Sequence, residues 1–183
     1  MRVIVAGVGY QHLRDHSVGP VVVERLLARA FPGDVVVEDL SYNPIAVMQR
    51  LDDEPRERRF ERAVFVGAVE RGDRAAGAVT AYRWDRGLPD DGEIHRAVTE
   101  AVTGVISLDN TLVVTQHFGA LPDDVVVIEV EPSLPEFGDA FSEAVARAVD
   151  QVCDLVGAVI SDPSGATRLP RLPLGGRQPI SAG

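Results

Sequence analysis

Short runs of β-branched residues alternate along the chain with segments that carry an apolar residue at every third or fourth position. Four of these runs are apolar at successive positions, which is typical of strands buried on both faces of a sheet. They are Val3–Ala6, Val35–Val37, Ala63–Val66 and Val125–Val130, the last with Glu129 as its one polar residue. Strands separated by helices usually pair in parallel, so the pattern predicts an α/β fold. We expect a three-layer α/β/α sandwich around a mostly parallel central sheet of about five strands.

Helical periodicity lies between those runs. A first helix is expected from about Pro20, because proline lacks the N–H that is unpaired in a first turn. Asn43-Pro44 predicts a capped second helix. Three further helices are predicted from apolar spacing, at Ala97–Val105, Thr111–Phe118 and Phe141–Val156. The alternating segment Val79–Trp84 predicts an edge strand or a hairpin with one solvent-exposed face.

The length of 183 residues suits one domain with a sizeable core. We expect residues 1–160 to form the α/β domain. Residues 161–183 are rich in Pro, Gly and Arg with little apolar periodicity, which predicts a flexible tail. No apolar run approaches the length of a membrane span, and the first ten residues resemble a strand more than a signal peptide. The protein is therefore expected in the cytoplasm, without a membrane partner.

The charge pattern argues against a nucleic-acid partner. The formal net charge is −10, and every basic side chain is an arginine, since the chain has no lysine. A negative field repels phosphate backbones, and the arginines at 56, 58, 59 and 62 are interleaved with glutamates. The single cysteine, Cys153, lies on the apolar stripe of the last predicted helix and is expected to be a buried, unreactive thiol.

Functional sites of parallel sheets form at the carboxyl ends of the strands, which directs attention to the loops after Ala6, Val66 and Val105. The first loop begins Gly7-Val8-Gly9, as in nucleotide-binding loops, but His12 stands where the third glycine of that motif belongs. A small nucleotide-binding domain is therefore the weakest of the functional alternatives.

The whole loop from Gly7 to Gly19 resembles the opening motif of the maturation endopeptidases of nickel-iron hydrogenases. Their pattern is G-x-G-N, a short apolar spacer and then G-D-[DE]-G-x-G, and the glycines at 7, 9 and 19 match it together with Asp15. Three later segments follow in the family's order, namely Val66–Val69, Ser107–Asn110 and Val127–Pro132. The resemblance extends over roughly residues 1–160.

This resemblance implies a phosphorylase/hydrolase-like fold and an endopeptidase, aspartic-type or metal-dependent, acting in hydrogenase maturation. Such proteins remove a carboxyl-terminal extension from the hydrogenase large-subunit precursor once its metal centre is loaded. The implied cofactor is nickel carried by the substrate, or another divalent metal. The family is thought to sense this metal through a carboxylate in the first loop, an aspartate after the third strand and a histidine in a later S-x-H segment.

All three of these positions differ in this chain. His16 replaces the first carboxylate, Gly67 replaces the aspartate and Asp109 replaces the histidine. Tyr10 also stands where the family usually has asparagine, and Arg14 where it has glycine. A carboxylate and an imidazole therefore remain, in exchanged positions, while the middle position has no side chain.

Two interpretations follow. In the first, His16 and Asp109 are the catalytic pair and hold a metal that polarises the attacking water, with Asp15 as third ligand and Glu70 or Asp73 as alternatives to it. A third donor is essential, because a site with two ligands binds weakly.

In the second interpretation the chain is a non-catalytic binding or assembly factor for hydrogenase or another partner, possessing no metal. Asp109 is then the N-cap of a helix, and His16 is hydrogen-bonded to backbone. Glu129 and Glu131 alternate along a predicted strand, so we expect them to point to opposite faces and not to serve one site. The sequence leaves the oligomeric state open.

Overall fold

The computed structural model describes residues 1–133, 136–162, 164 and 166–176. This part of the chain contains six strands and five α-helices. The strands are β1 Arg2–Val8, β2 Asp34–Asp39, β3 Arg62–Ala68, β4 Val79–Trp84, β5 Asp124–Val130 and β6 Arg171–Leu172. The helices are α1 Val18–Leu27, α2 Pro44–Asp52, α3 Asp91–Val102, α4 Leu108–His117 and α5 Glu143–Ser161.

The strands form one sheet in the order β2-β1-β3-β5-β4-β6. The four apolar runs pair in parallel, β4 is antiparallel to β5, and the short β6 is parallel to β4. The predicted α/β fold with a mostly parallel central sheet is thereby confirmed, with six strands instead of about five.

Helices cover both faces of the sheet. Val22 and Leu26 of α1 and Val149 and Val152 of α5 are buried in one hydrophobic cluster. The opposite face packs against α2 and α4, with α3 in contact with both of these helices. Both faces are buried, which explains why the central strands are apolar at successive positions.

Two helices begin earlier than their apolar periodicity predicted. Asp90 caps α3 by accepting a hydrogen bond from the Glu93 amide, and Ser107 caps α4 by accepting one from the Asn110 amide. Polar residues are frequent in these first turns, with Asp91 and Glu93 in α3 and Asp109 and Asn110 in α4, although Leu108 at the start of α4 is buried. The predicted cap of α2 is confirmed, since the Asn43 side chain accepts from the Ile45 amide at 2.7 Å.

The carboxyl-terminal region differs from the flexible tail expected after residue 160. α5 continues to Ser161, and Ala166 is fully buried. β6 pairs with β4, which is therefore not an edge strand in the structure. A single two-residue strand has no periodicity that sequence reasoning can detect, which explains the difference. The rest of the expected tail, residues 163, 165 and 177–183, lies outside the described residues.

Two expectations from composition concern reactivity and membranes. Cys153 is a free thiol with none of its surface exposed, and burial raises its pKa. Within the described residues, each helix is too short or too polar to cross a bilayer.

Candidate functional site

The candidate site lies where the carboxyl ends of β1, β3 and β5 meet. Val8, Gly67 and Glu129 are neighbours in register across these three strands. The first loop also touches the segment before α4, because the Tyr10 hydroxyl accepts a hydrogen bond from the Ile106 amide at 2.9 Å. The loops that carry His16 and Asp109 therefore adjoin at the same edge of the sheet, as the fold class predicts.

Arg71, in the loop between β3 and β4, joins two carboxylates at this edge. Its two terminal nitrogens donate to the two oxygens of Asp109 at 2.7 and 2.9 Å. Its Nε and Nη2 also donate to Glu129, at 3.1 and 2.6 Å. A planar guanidinium suits such paired contacts, and hydrogen bonds between ionised groups are the stronger class.

Two further side chains complete the contacts of Glu129. The Tyr82 hydroxyl donates to its Oε1 at 2.6 Å, and Arg74 donates to its Oε2 at 2.7 Å. The Glu129 side chain has no exposed surface, so its charge is tolerated only because both oxygens are bonded. We call these five side chains the Arg71 network: Arg71, Arg74, Tyr82, Asp109 and Glu129.

The network keeps its members in fixed ionisation states. Burial alone would raise the pKa of Glu129, but the hydrogen bonds from Arg71 and Tyr82 outweigh it and the pKa is lowered. Burial and the neighbouring Glu129 charge raise the pKa of Tyr82, which therefore stays protonated and donates. For Arg71, burial opposes the charge, yet the bonds to Asp109 and Glu129 raise its pKa. Arg71 and Glu129 are thus an ionised pair beside a neutral phenol.

Glu131 also serves this site, contrary to the prediction that it and Glu129 would be separated. Its carboxylate accepts from the backbone amides of Arg71 and Gly72 at 3.0 Å each. The prediction was wrong because side chains alternate with a period of two along a strand, so positions 129 and 131 face the same side of the sheet. One glutamate therefore holds the side chain of Arg71 while the other holds its backbone.

Gly67 leaves no room for a side chain at the middle metal-sensing position. A Cβ atom built on it would lie 2.7 Å from the carbonyl oxygen of Val8 on the neighbouring strand. This is closer than real Cβ atoms approach backbone oxygens, so β1 or β3 would have to shift. The aspartate of the resembled family cannot be accommodated here without such a movement.

Asp15, expected as the third metal ligand, has a different function in the structure. It is 1% exposed, and its two oxygens accept from the backbone amides of Ser133 and Ser142 at 2.9 and 2.7 Å. Asp15 thus ties the first loop to the segments that follow β5 and precede α5. Both oxygens of this carboxylate are engaged by backbone amides.

His16 contributes through its backbone more than through its ring. Its amide donates to Leu13 and its carbonyl accepts from Tyr10. Its imidazole Nε2 is buried and has no hydrogen-bond partner in the described part of the chain. The expected bond between the imidazole and backbone is therefore not made by this nitrogen.

The residues present do not fit a metal site with three protein donors. Within the described ranges, no three His, Cys, Asp or Glu side chains are grouped so that they could hold a metal ion. Both oxygens of Asp109 face Arg71, whose positive charge repels a cation. Ser107, not Asp109, is the N-cap of α4, so that expectation was also wrong. A nickel ion carried by the substrate stays a prediction.

Arg14 holds an unusual backbone conformation in the first loop. Arg14, at the family's glycine position, has φ +42°, a conformation that favours glycine. Its Nε donates to the Ala140 carbonyl at 3.0 Å, and it also pairs with Glu136. These contacts offset the backbone strain at Arg14.

Sequence reasoning missed Arg71, Arg74 and Tyr82, because nothing in their local pattern distinguishes them from surface residues. One indication was present. Glu129 interrupts the apolar run of β5, and a charge in a strand that is buried on both faces requires a partner. A search for arginines on the loops at the same sheet edge would have led to Arg71.

The fold is that of known hydrogenase maturation endopeptidases. A hydrogenase 2 maturation peptidase from a Thaumarchaeota archaeon is 26% identical, with a TM-score of 0.59 over 85% of this chain and 95% of its own. For HybD and HycI from Escherichia coli the identities are 22% and 20%, and the TM-scores 0.61 and 0.64. The alignments cover 85% and 96% of this chain and 90% and 99% of those structures. No protein-family model and no curated protein matches the chain.

Proposed function

We propose that this protein, which shares the fold of hydrogenase maturation endopeptidases, acts in hydrogenase maturation by binding the carboxyl-terminal region of a large-subunit precursor. The Arg71 network is the observation that carries the proposal. It occupies the sheet edge where the resembled family senses metal, and it engages Asp109 on both oxygens. Its guanidinium groups can bind carboxylates and backbone carbonyls of a peptide, whereas they disfavour a cation.

Cleavage of the precursor is a second candidate, favoured by the unpartnered Nε2 of His16. An imidazole at this position could orient a water molecule or contact a metal carried by the precursor. It would do so without help from Asp15, because backbone amides engage both oxygens of that carboxylate. If the protein cleaves the precursor in this way, His16→Ala should abolish cleavage. This result distinguishes cleavage from binding alone.

The test uses the full chain and a nickel-loaded large-subunit precursor that retains its carboxyl-terminal extension. Binding is measured by co-elution and cleavage by the mass of the precursor. We expect co-elution without shortening, weakened at least ~10-fold by Arg71→Met and unchanged by Arg147→Met. Arg147 is a matched control because its pair with Glu143 lies exposed on α5.

Two results would contradict the proposal. Absence of co-elution with the precursor would remove the binding role. Shortening that requires His16 and Asp109 would establish the endopeptidase and make binding only its first step. Shortening that survives both His16→Ala and Asp109→Asn would show instead that other residues perform the cleavage.

A further inference from the structure

The chain's own carboxyl-terminal segment lies across the outer edge of β4. Leu172 and Arg171 pair with Trp84 and Arg83 in a parallel ladder. The amides of Arg83 and Asp85 donate to the carbonyls of Pro170 and Leu172 at 2.9 Å each. Residues 170–176, which we call the strap, thus supply the partner for a strand edge that would otherwise be unpaired.

Beyond β6 the strap reaches the Arg71 network. The Gly175 amide donates to the Tyr82 hydroxyl at 3.0 Å, and the Gly175 carbonyl accepts from Arg74. Tyr82 and Arg74 are the same groups that bond Glu129. Two members of the network therefore contact the backbone of an extended segment directly.

Glycines permit this close approach. Gly175 is buried, has φ +88°, and a Cβ atom on it would lie 3.5 Å from the guanidinium carbon of Arg71. Gly176 has φ +63°, and a Cβ atom there would lie 3.1 Å from side-chain carbons of Thr80 and Tyr82. At Gly175 the positive φ alone disfavours a side chain, whereas at Gly176 the φ and the tight contacts both do, so both positions favour glycine.

A cleft of about 490 Å³ continues from the strap toward α3 and α4. Pro173 and Leu174 line it on one side, while Arg71, Asp109 and Arg96 line it elsewhere. Leu172 and Leu174 are only partly buried against the core. The strap therefore forms one wall of the cleft that leads to the Arg71 network.

We propose that the β4 edge, with Arg71, Arg74 and Tyr82, is a binding site for an extended peptide, and that the strap occupies this site within the same chain. The peptide has a leucine-sized side chain at the Leu172 position and glycine at the 175 and 176 positions. Backbone pairing to β4 gives affinity, and the close approach at the glycines gives selectivity. The natural peptide would be a segment of the large-subunit precursor, and only this part of the inference rests on the proposed function.

The strap has the features of an exchangeable occupant. Its ladder to β4 is two residues long, and Arg171 is exposed. Such segments open locally without unfolding the domain. Because the strap is tethered, its effective concentration at the site is of the order of millimolar, so a separate peptide binds well only once the strap is weakened.

Hydrogen exchange on the unmodified chain is the first test. The Arg83 and Asp85 amides bond to the strap, whereas the amides of Val64 and Val66 lie in the centre of the sheet. We expect the first pair to exchange at least ~100-fold faster than the second, through opening of the strap alone. Exchange of all four at the rate of global unfolding would overturn the proposal, because the strap would be a permanent part of the fold.

The second test adds the peptide of residues 170–176 in trans to the full-length Gly176→Val variant. A valine there is strained by its φ and crowds Thr80 and Tyr82, so the strap is weakened. Gly33→Val is the matched control, with φ +86° and no atom within 4 Å of the added Cβ. By fluorescence anisotropy of labelled peptide, we expect binding at least ~10-fold tighter to Gly176→Val than to the wild type or the control.

Bound peptide should also restore slow exchange of the Arg83 and Asp85 amides and reverse any change in the emission of Trp84, the chain's single tryptophan. A Gly176→Val protein with native circular dichroism that binds no peptide would overturn the proposal. If the variant does not fold, the exchange measurement on the wild type decides alone. Neither experiment uses the hydrogenase precursor, so their failure is distinguishable from failure of the proposed function.

Discussion

At the scale of single residues, one guanidinium joins two carboxylates at the candidate site. Asp109 stands where the resembled family has histidine, and it is bonded to Arg71 instead of facing an open site. Glu129, which is in register with Gly67, supplies the second carboxylate. A buried charge needs a partner of opposite sign, and Arg71 is that partner for both carboxylates.

Substitution of Arg71 should be costly, because it leaves Glu129 buried with only Arg74 and Tyr82 as partners. We expect Arg71→Met to lower the free energy of unfolding by about 2–4 kcal/mol, as measured by urea denaturation. Arg147→Met, which removes an exposed pair on α5, should change it by less than about 0.5 kcal/mol. Equal changes in the free energy of unfolding for the two substitutions would show that the Arg71 network stabilises the fold no more than an exposed ion pair does.

The lowered pKa of Glu129 predicts how its contribution depends on pH. Its folded pKa lies below the unfolded value of about 4.3, so the stabilisation is complete above that value and is lost as pH falls through the folded pKa. The stability difference between wild type and Glu129→Gln should stay constant from about pH 8 to about pH 5 and shrink below about pH 4.

Urea titrations at each pH measure this difference. Glu143→Gln serves as the control, because Glu143 is exposed at the start of α5. Its difference from wild type should vary far less in the acid range than that of Glu129→Gln. A Glu129→Gln difference that is independent of pH would show that Glu129 is not ionised in the folded protein.

At the scale of secondary-structure elements, the close approach of β1 and β3 determines what the site can contain. The Val8 carbonyl lies where a side chain at position 67 would begin. The strands can pair closely because Gly67 lacks a Cβ atom. Backbone thus closes the position where the resembled family has aspartate.

Two glycine-to-alanine substitutions should have opposite effects on stability. Gly67→Ala places a Cβ atom 2.7 Å from the Val8 oxygen and should destabilise the protein by about 1–3 kcal/mol. Gly157→Ala lies inside α5 with no atom within 4 Å of the new Cβ, and should stabilise it by about 0.5–1 kcal/mol. Thermal or urea denaturation measures both, and stabilisation by Gly67→Ala would contradict the close approach of β1 and β3.

At the scale of the whole molecule, one sheet with helices on both faces buries the central strands completely. Cys153 lies in the core between α5 and the sheet, with no exposed surface. Its thiol therefore becomes reactive only when that core opens. This makes it a probe of the stability of the whole domain.

In the native protein we expect Cys153 to react with an aromatic disulfide reagent at least ~10³-fold more slowly than in urea-unfolded protein, because the unfolded fraction is small. Burial also raises the pKa of this thiol, which lowers the thiolate fraction further. Absorbance at neutral pH follows the reaction. A rate within tenfold of the unfolded protein would show that α5 opens independently of the sheet.

The sequence by itself determined the architecture. Strands with continuous apolar runs are buried on both faces, so they lie between two layers of helices. The helical segments between these strands favour parallel pairing, and the order of apolar segments along the chain therefore predicted the α/β/α sandwich. The first loop could be assigned to the sheet edge for the same reason. These properties depend on local pattern, which the sequence displays directly.

The tertiary structure alone decided the chemistry of the site. Arg71 meets Asp109 and Glu129 across separations of 38 and 58 residues, and no local pattern specifies such a contact. The same holds for the strap, whose two-residue strand has no periodicity, and for Gly67, whose exclusion of a side chain depends on the carbonyl of another strand. The interaction between two charges falls with distance, so side chains on distant loops pair only when the folded backbone brings them together.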